Sequence, residues 1–199
     1  MERPADTLPV ESHPLAPFLP DGCRLLMLGS FPPERKRWSM EFFYPNFNND
    51  MWRIMGLLFH GERRHFEAEG VKRFDRERIA AFCTRHGIGL FDTATQVRRL
   101  AGNASDKFLE VVTPTDLTAM RTSLPCCAAV VTTGEKATDT LVGHFGCEKP
   151  RVGEYVPLHV GDRTLRFYRM PSSSRAYPLA LDRKAAAYGR MFRDLGMLP

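Results

Sequence analysis

The chain has 199 residues, of which 43% are hydrophobic and 26% charged, and its net charge is +5 at neutral pH. That length suits one domain with a sizeable core, and a mild basic excess permits an anionic partner without requiring one. No run approaches the ~18 apolar residues of a membrane span, and the five cysteines show neither C-x-x-C pairs nor His/Cys ligand spacing, so metal-cluster chemistry is set aside.

Taken in chain order, residues 1–20 read as an extended Pro-rich arm, because "MERPADTLPVESHPLAPFLPDG" has no apolar segment of the kind a signal peptide needs. "RLLMLG" (24–29) is the first apolar run, followed by "GIGLFD" (87–92), "AAVVTTG" (128–134) and "LRFYRMP" (165–171). The first three are nearly continuous in apolar character, which predicts strands buried on both faces of a parallel sheet. Helical patterns lie between them. Asp50 is placed to N-cap a helix carrying Met51, Ile54, Met55 and Leu58 on one face, and Asp75 to cap another, with Phe74 and Ile79 at hydrophobic-staple spacing. "TPTD" (113–116) offers a Thr cap followed by Pro, Thr133 is placed to cap the segment that follows, and Leu181, Ala185, Tyr188, Phe192 and Leu195 trace a C-terminal helix. The expected fold is α/β: a three-layer α/β/α sandwich around a central, mainly parallel, four-stranded sheet.

In such sheets ligands bind beyond the C-terminal strand edges. Three segments are therefore expected to share one edge: "GSFPP" after the first strand, "FDTATQVRR" after the second and "MPSSSRAYP" after the fourth, with a "TTGEK" turn after the third. "PSSSR" supplies hydroxyls, backbone N–H groups and a guanidinium, a set suited to phosphate oxygens. The aromatic and Asn-rich stretch "FFYPNFNNDMW" (42–52) suits a flat heterocycle, since rings stack on its face and an amide reads its edge. Glu34-Arg35-Lys36-Arg37 beside it would suit a phosphate backbone. No nucleotide-binding Gly loop and no G-x-S-x-G elbow occurs, and none of the six histidines sits in a recognised motif, so each reads as surface or partly buried.

The order of these parts resembles the uracil-DNA glycosylase superfamily, in particular its mismatch-specific uracil and hypoxanthine branch. "LMLGSFPP" is similar to the first motif of that family, "FFYPNFNNDMW" to its paired aromatics with an Asn three residues before Trp, "GIGLFDTATQVRRLAGNASD" to its second-strand segment with a later Gly-Ser-type turn, and "MPSSSRAYP" to its second signature. The resemblance implies a base pocket lined by Gly29, Ser30 and Phe31, with Phe43 or Tyr44 stacking on or closing over a flipped base. It implies Asn49 as the catalytic amide, and Asp92 closing the pocket, either holding backbone geometry or contacting the base. Pro171, Ser172 and Ser173 would grip a DNA phosphate, with Ser174 and Arg175 near the gap the base leaves. Asp92 and Asp106 are the carboxylates available to orient water. The family's acid or amide in the first motif is replaced here by Phe31, its second Gly by Pro33, and the His heading the second signature by Met170. The implied activity is metal-free, cofactor-free hydrolysis of an N-glycosidic bond in damaged DNA by a cytoplasmic monomer. An inactive nucleic-acid binder and a small-molecule hydrolase on the same fold are the alternatives.

Overall fold

The structure, a computed structural model, describes residues 8–100 and 106–199. The first seven residues of the Pro-rich arm, and residues 101–105 of the expected Gly-Ser-type turn, lie outside the described residues. In chain order the elements are β1 (Glu11–Ser12), β2 (Leu25–Gly29), α1 (Met51–His60), α2 (Arg76–His86), β3 (Ile88–Asp92), β4 (Ala94–Arg99), β5 (Leu109–Pro114), α3 (Leu117–Met120), β6 (Ala129–Thr133), α4 (Glu135–Phe145), β7 (Tyr155–Val160), β8 (Arg163–Met170) and α5 (Leu181–Asp194).

The central sheet runs β3-β2-β6-β8-β7, and its first four strands are parallel. Every residue of β2, β3 and β6 is buried, as continuous apolar strands require when both faces are covered. Helices flank the sheet in the α/β/α arrangement: α2 packs on β3, α4 on β6, and α1 against α5. From β2 the chain crosses first to β3 on one side and later to β6 on the other. That reversal opens a crevice at the C-terminal ends of β2 and β6, the switch point of an open α/β sheet. Among the described residues no helix is long and apolar enough to cross a membrane.

Two features extend beyond the four expected strands. Strand β7 pairs antiparallel with β8 at the sheet edge, and its alternating exposure kept it from reading as a continuous run. "FDTATQVRR", expected as a loop, instead gives β4, which forms a second antiparallel sheet of order β1-β4-β5. Ala94 and Val97 of β4 are buried with Phe31 and Leu109, so a small separate core stands beside the end of β2. The described part of the arm is docked: β1 pairs with β4, and Phe18 pairs with Leu90.

Three helix starts differ from expectation. "TPTD" does not open with a Thr cap; Thr113 and Pro114 end β5, and Asp116 caps α3 by accepting from the N–H groups of Thr118 and Ala119. Thr133 ends β6, and Gly134 takes the cap position of α4 with φ 99°, a conformation that favours glycine. Asp50 does stand at the head of α1, but its carboxylate makes no cap bond; the Asn49 Oδ1 accepts from the Met51 N–H at 2.8 Å instead. The Asp75 cap on Arg78 forms as expected.

The Asp50 carboxylate is diverted because it is buried between cations. It accepts from Lys184 Nζ at 2.9 Å and from Arg175 Nε at 3.2 Å, and Lys184 is only 1% exposed. Lys184 also donates to the Ser174 carbonyl, and the Asp50 N–H donates to the Ser173 carbonyl at 2.8 Å. Removing one partner of such a pair leaves a buried charge uncompensated. Lys184→Ala is accordingly expected to destabilise the fold by about 3–5 kcal/mol in urea unfolding; a loss within experimental error would contradict this account.

Candidate functional site

A cavity of about 980 Å³ opens at the C-terminal edge of the parallel strands. Gly29 at the end of β2, Asp92 at the end of β3, Thr133 at the end of β6 and the Ser172–Arg175 loop after β8 all contribute to its wall. Ser30, Phe31, Phe43, Tyr44 and Asn49 line it as well, so the candidate residues from the first and last motifs face one space. Pro171 does not: it is buried behind the rim, where its carbonyl accepts from the Tyr188 hydroxyl at 2.9 Å.

The floor depends on a missing side chain. A Cβ on Gly29 would collide with the Asp92 Oδ1, so only glycine lets the carboxylate lie against the end of β2. The other oxygen, Oδ2, lies 2.8 Å from His13 Nε2, and Thr115 donates to the Asp92 carbonyl at 2.6 Å. Ser30 donates to Asp106 Oδ2 at 2.6 Å. Asp106 retains solvent contact along part of its surface, yet burial of its carboxyl is the dominant influence and raises its pKa above the ordinary carboxylate value. The negative charge of Asp92 adds to that rise, while Ser30, Arg99 and Lys136 oppose it.

The aromatic stretch is divided between packing and display. Phe42, Phe43 and Trp52 are buried, and the Trp52 indole donates to the Phe43 carbonyl at 3.1 Å. Tyr44 adopts φ 51°, a left-handed conformation costly for a bulky residue. Its hydroxyl meets Thr133 Oγ1 at 3.1 Å, so the loop is pinned across the cavity to the end of β6. Burial raises the Tyr44 pKa, which keeps that phenol neutral.

Asn49 is held at three points. Its N–H donates to the Asn46 carbonyl, its carbonyl accepts from Arg53 Nη1 at 3.0 Å, and its Oδ1 caps α1. Arg53 is itself buried against Glu67 at 2.7 Å and donates to the Phe47 carbonyl. With Oδ1 engaged, the group Asn49 offers a ligand is its amide N–H donor. Asn48, its neighbour, is exposed.

The Pro-Ser loop is shaped by its own hydroxyls. Ser172 Oγ accepts from the Ser174 N–H and Ser174 Oγ from the Ala176 N–H, each at 3.2 Å. A hydroxyl used as acceptor keeps its O–H to donate, so both serines can still serve an anion. Ser173 is 3% exposed, and its carbonyl is taken by Asp50. Arg175 is half exposed while its Nε is bonded to Asp50.

Several cavity residues escaped sequence reasoning. Arg99 donates to Glu11 and, at 2.7 Å, to the Pro32 carbonyl, and its guanidinium lies 5.7 Å from the Phe31 ring centre. Thr133 and Lys136 of the "TTGEK" turn and Arg37 of the basic cluster, segments already singled out in the sequence, also line the cavity. His13 lies behind it, 79 residues from its partner Asp92. Arg99 lies in a segment whose composition reads as a loop, and no local signal links His13 to that pocket.

Gly29→Ala is expected to displace Asp92 and cost about 1–3 kcal/mol, the usual range for overpacking. Chemical denaturation measures the loss, and a wild-type midpoint would mean that Asp92 does not need this space.

No family model and no curated protein matches the chain. Among solved structures, the solution NMR structure of a putative uracil DNA glycosylase from Methanosarcina acetivorans is similar over 91% of this chain and 96% of that chain. The TM-score is 0.61 and the identity 21%. The two chains share a fold.

Proposed function

We propose that this protein is a monofunctional DNA glycosylase that hydrolyses the N-glycosidic bond of a deaminated or mismatched base: uracil, hypoxanthine or xanthine. The observation that carries the reading is the joint placement of Gly29–Phe31, Asn49 and Ser172–Ser174 around one cavity at the switch point of the sheet. The fold shared with the Methanosarcina acetivorans protein supports it.

In this reading the target nucleotide leaves the helix, at an unstacking cost of a few kcal/mol that is least for a mispaired base. Phe43 and Tyr44 wall the pocket that receives it. The C1′–N bond then breaks, and its electron pair stays with the base. The Asn49 amide N–H and backbone N–H groups after β2 stabilise that negative charge. Water adds to the cationic sugar carbon and gives up its proton to a carboxylate. Asp92 is placed for this role by its position at the end of β3, with Oδ1 against Gly29 on the cavity wall, and Asp106 is a second carboxylate on the same wall. Ser172, Ser174 and Arg175 hold the neighbouring phosphate through neutral and charge-assisted hydrogen bonds.

The test is incubation with duplexes carrying uracil, hypoxanthine or xanthine, followed by alkaline cleavage at abasic sites. At least one lesion should yield product, and Asn49→Ala should lower the single-turnover rate by about 10²–10³-fold, the cost of one well-placed donor. No product from any of the three at stoichiometric protein would reject the reading. A salt-sensitive gel shift without product would favour the inactive nucleic-acid binder.

A further inference from the structure

We infer that His13, carried on the docked N-terminal segment, is a positioning residue that completes the site by aiming the Asp92 carboxylate into the cavity. The inference rests on the glycosylase reading for its kinetic consequence, but its geometric content stands apart from it.

The segment is fastened on both sides of His13. Before it, Glu11 and Ser12 pair with Val97 and Gln96, and Arg99 binds Glu11 at 3.0 Å. After it, Phe18 and Leu90 exchange both backbone bonds, at 3.0 and 2.8 Å. The His13 N–H itself donates to the Thr95 carbonyl at 2.8 Å. The histidine is thus set down at one place by anchors that do not involve its side chain.

The ring is equally constrained. Its Nδ1 lies 2.8 Å from the Leu15 carbonyl and 3.1 Å from the Leu15 N–H, while Nε2 lies 2.8 Å from Asp92 Oδ2. A carboxylate in its ionised form only accepts, so in that form of the pair Nε2 is the donor whichever role Nδ1 takes. Phe91 and Phe31 close around the imidazole at centroid distances of 4.7 and 5.3 Å, and its side chain is 4% exposed. Water therefore competes poorly for this bond.

The two oxygens of Asp92 are thereby divided. Oδ2 is committed to His13, and Oδ1 lies over Gly29 at the cavity floor. His13 does not itself line the cavity, so it acts through Asp92. A carboxylate held at one oxygen keeps the other aimed at a water molecule, and losing the hold costs orientation more than binding.

The experiment compares wild type, His13→Leu and His13→Gln, the last retaining an N–H donor. On the lesion that wild type processes, His13→Leu should lower kcat by at least tenfold with KM changed less than threefold, and His13→Gln should recover most of that loss. Equal rates in all three proteins, or a loss confined to KM, would overturn the inference. NMR of the wild-type imidazole decides the geometry even if no lesion is processed, in which case the glycosylase reading fails by itself. The expected signal is a slowly exchanging Nε2–H proton on His13, lost in Asp92→Ala; an unprotonated Nε2 would overturn the inference.

Discussion

One buried carboxylate, Asp50, holds the separate parts of the cavity in register. It joins the head of α1, the Pro-Ser loop and α5 through Lys184, Arg175 and the backbone bond to Ser173. Each ion would be costly to bury alone, so the arrangement is satisfied only when all three segments occupy their places. An apolar cluster of equal volume would stabilise the contact without fixing its direction. Because Asn49 precedes Asp50 and the Ser174 carbonyl accepts from Lys184, the same lock sets the spacing between the Asn49 amide and the Pro-Ser loop. Asn49 and Ser174 indeed meet there as an isolated antiparallel bridge.

That dependence explains which features were legible in the chain. The strands β2, β3 and β6 could be read because both faces are covered, so their residues are almost all apolar. β4 could not, since "ATQVRR" buries only Ala94 and Val97 and its remaining polar residues look like a loop. Its partner β1 lies far away in sequence, and β5, the next strand along, is itself half-buried or exposed at all but one position, so neither leaves an apolar run to read. Local capping chemistry failed at Asp50 for a related reason. An Asp before an apolar helix predicts a cap, but a buried lysine 134 residues away outcompeted the backbone for its carboxylate.

The site was legible to a similar depth. Loops with unusual composition, such as "GSFPP", "NFNND" and "PSSSR", could be singled out because ordinary turns do not need those residues. What composition could not supply was the division of labour within each loop. Phe43 and Tyr44 are adjacent, yet one is packed into the core and the other is strained at φ 51°. Pro171 and Ser172 are also adjacent, yet only Ser172 reaches the cavity. Backbone direction decides such cases, and it is set by tertiary bonds.

Phe31 draws these points together. Its ring belongs to the small core of the second sheet, with Ala94, Val97 and Leu109. A residue so engaged supplies shape and dryness to the cavity but no polar chemistry. The polar groups that remain come from different elements: Asp92 from the end of β3, Asn49 from the head of α1, and the serines from the loop after β8. Breaking a glycosidic bond separates charge, leaving the sugar positive and the base negative. In the proposed reaction a carboxylate suits the first charge and N–H donors suit the second. Supplying them from separate elements lets each be aimed independently, provided that those elements cannot shift. The second sheet and the docked N-terminal segment immobilise one side of the cavity, and Asp50 immobilises the other.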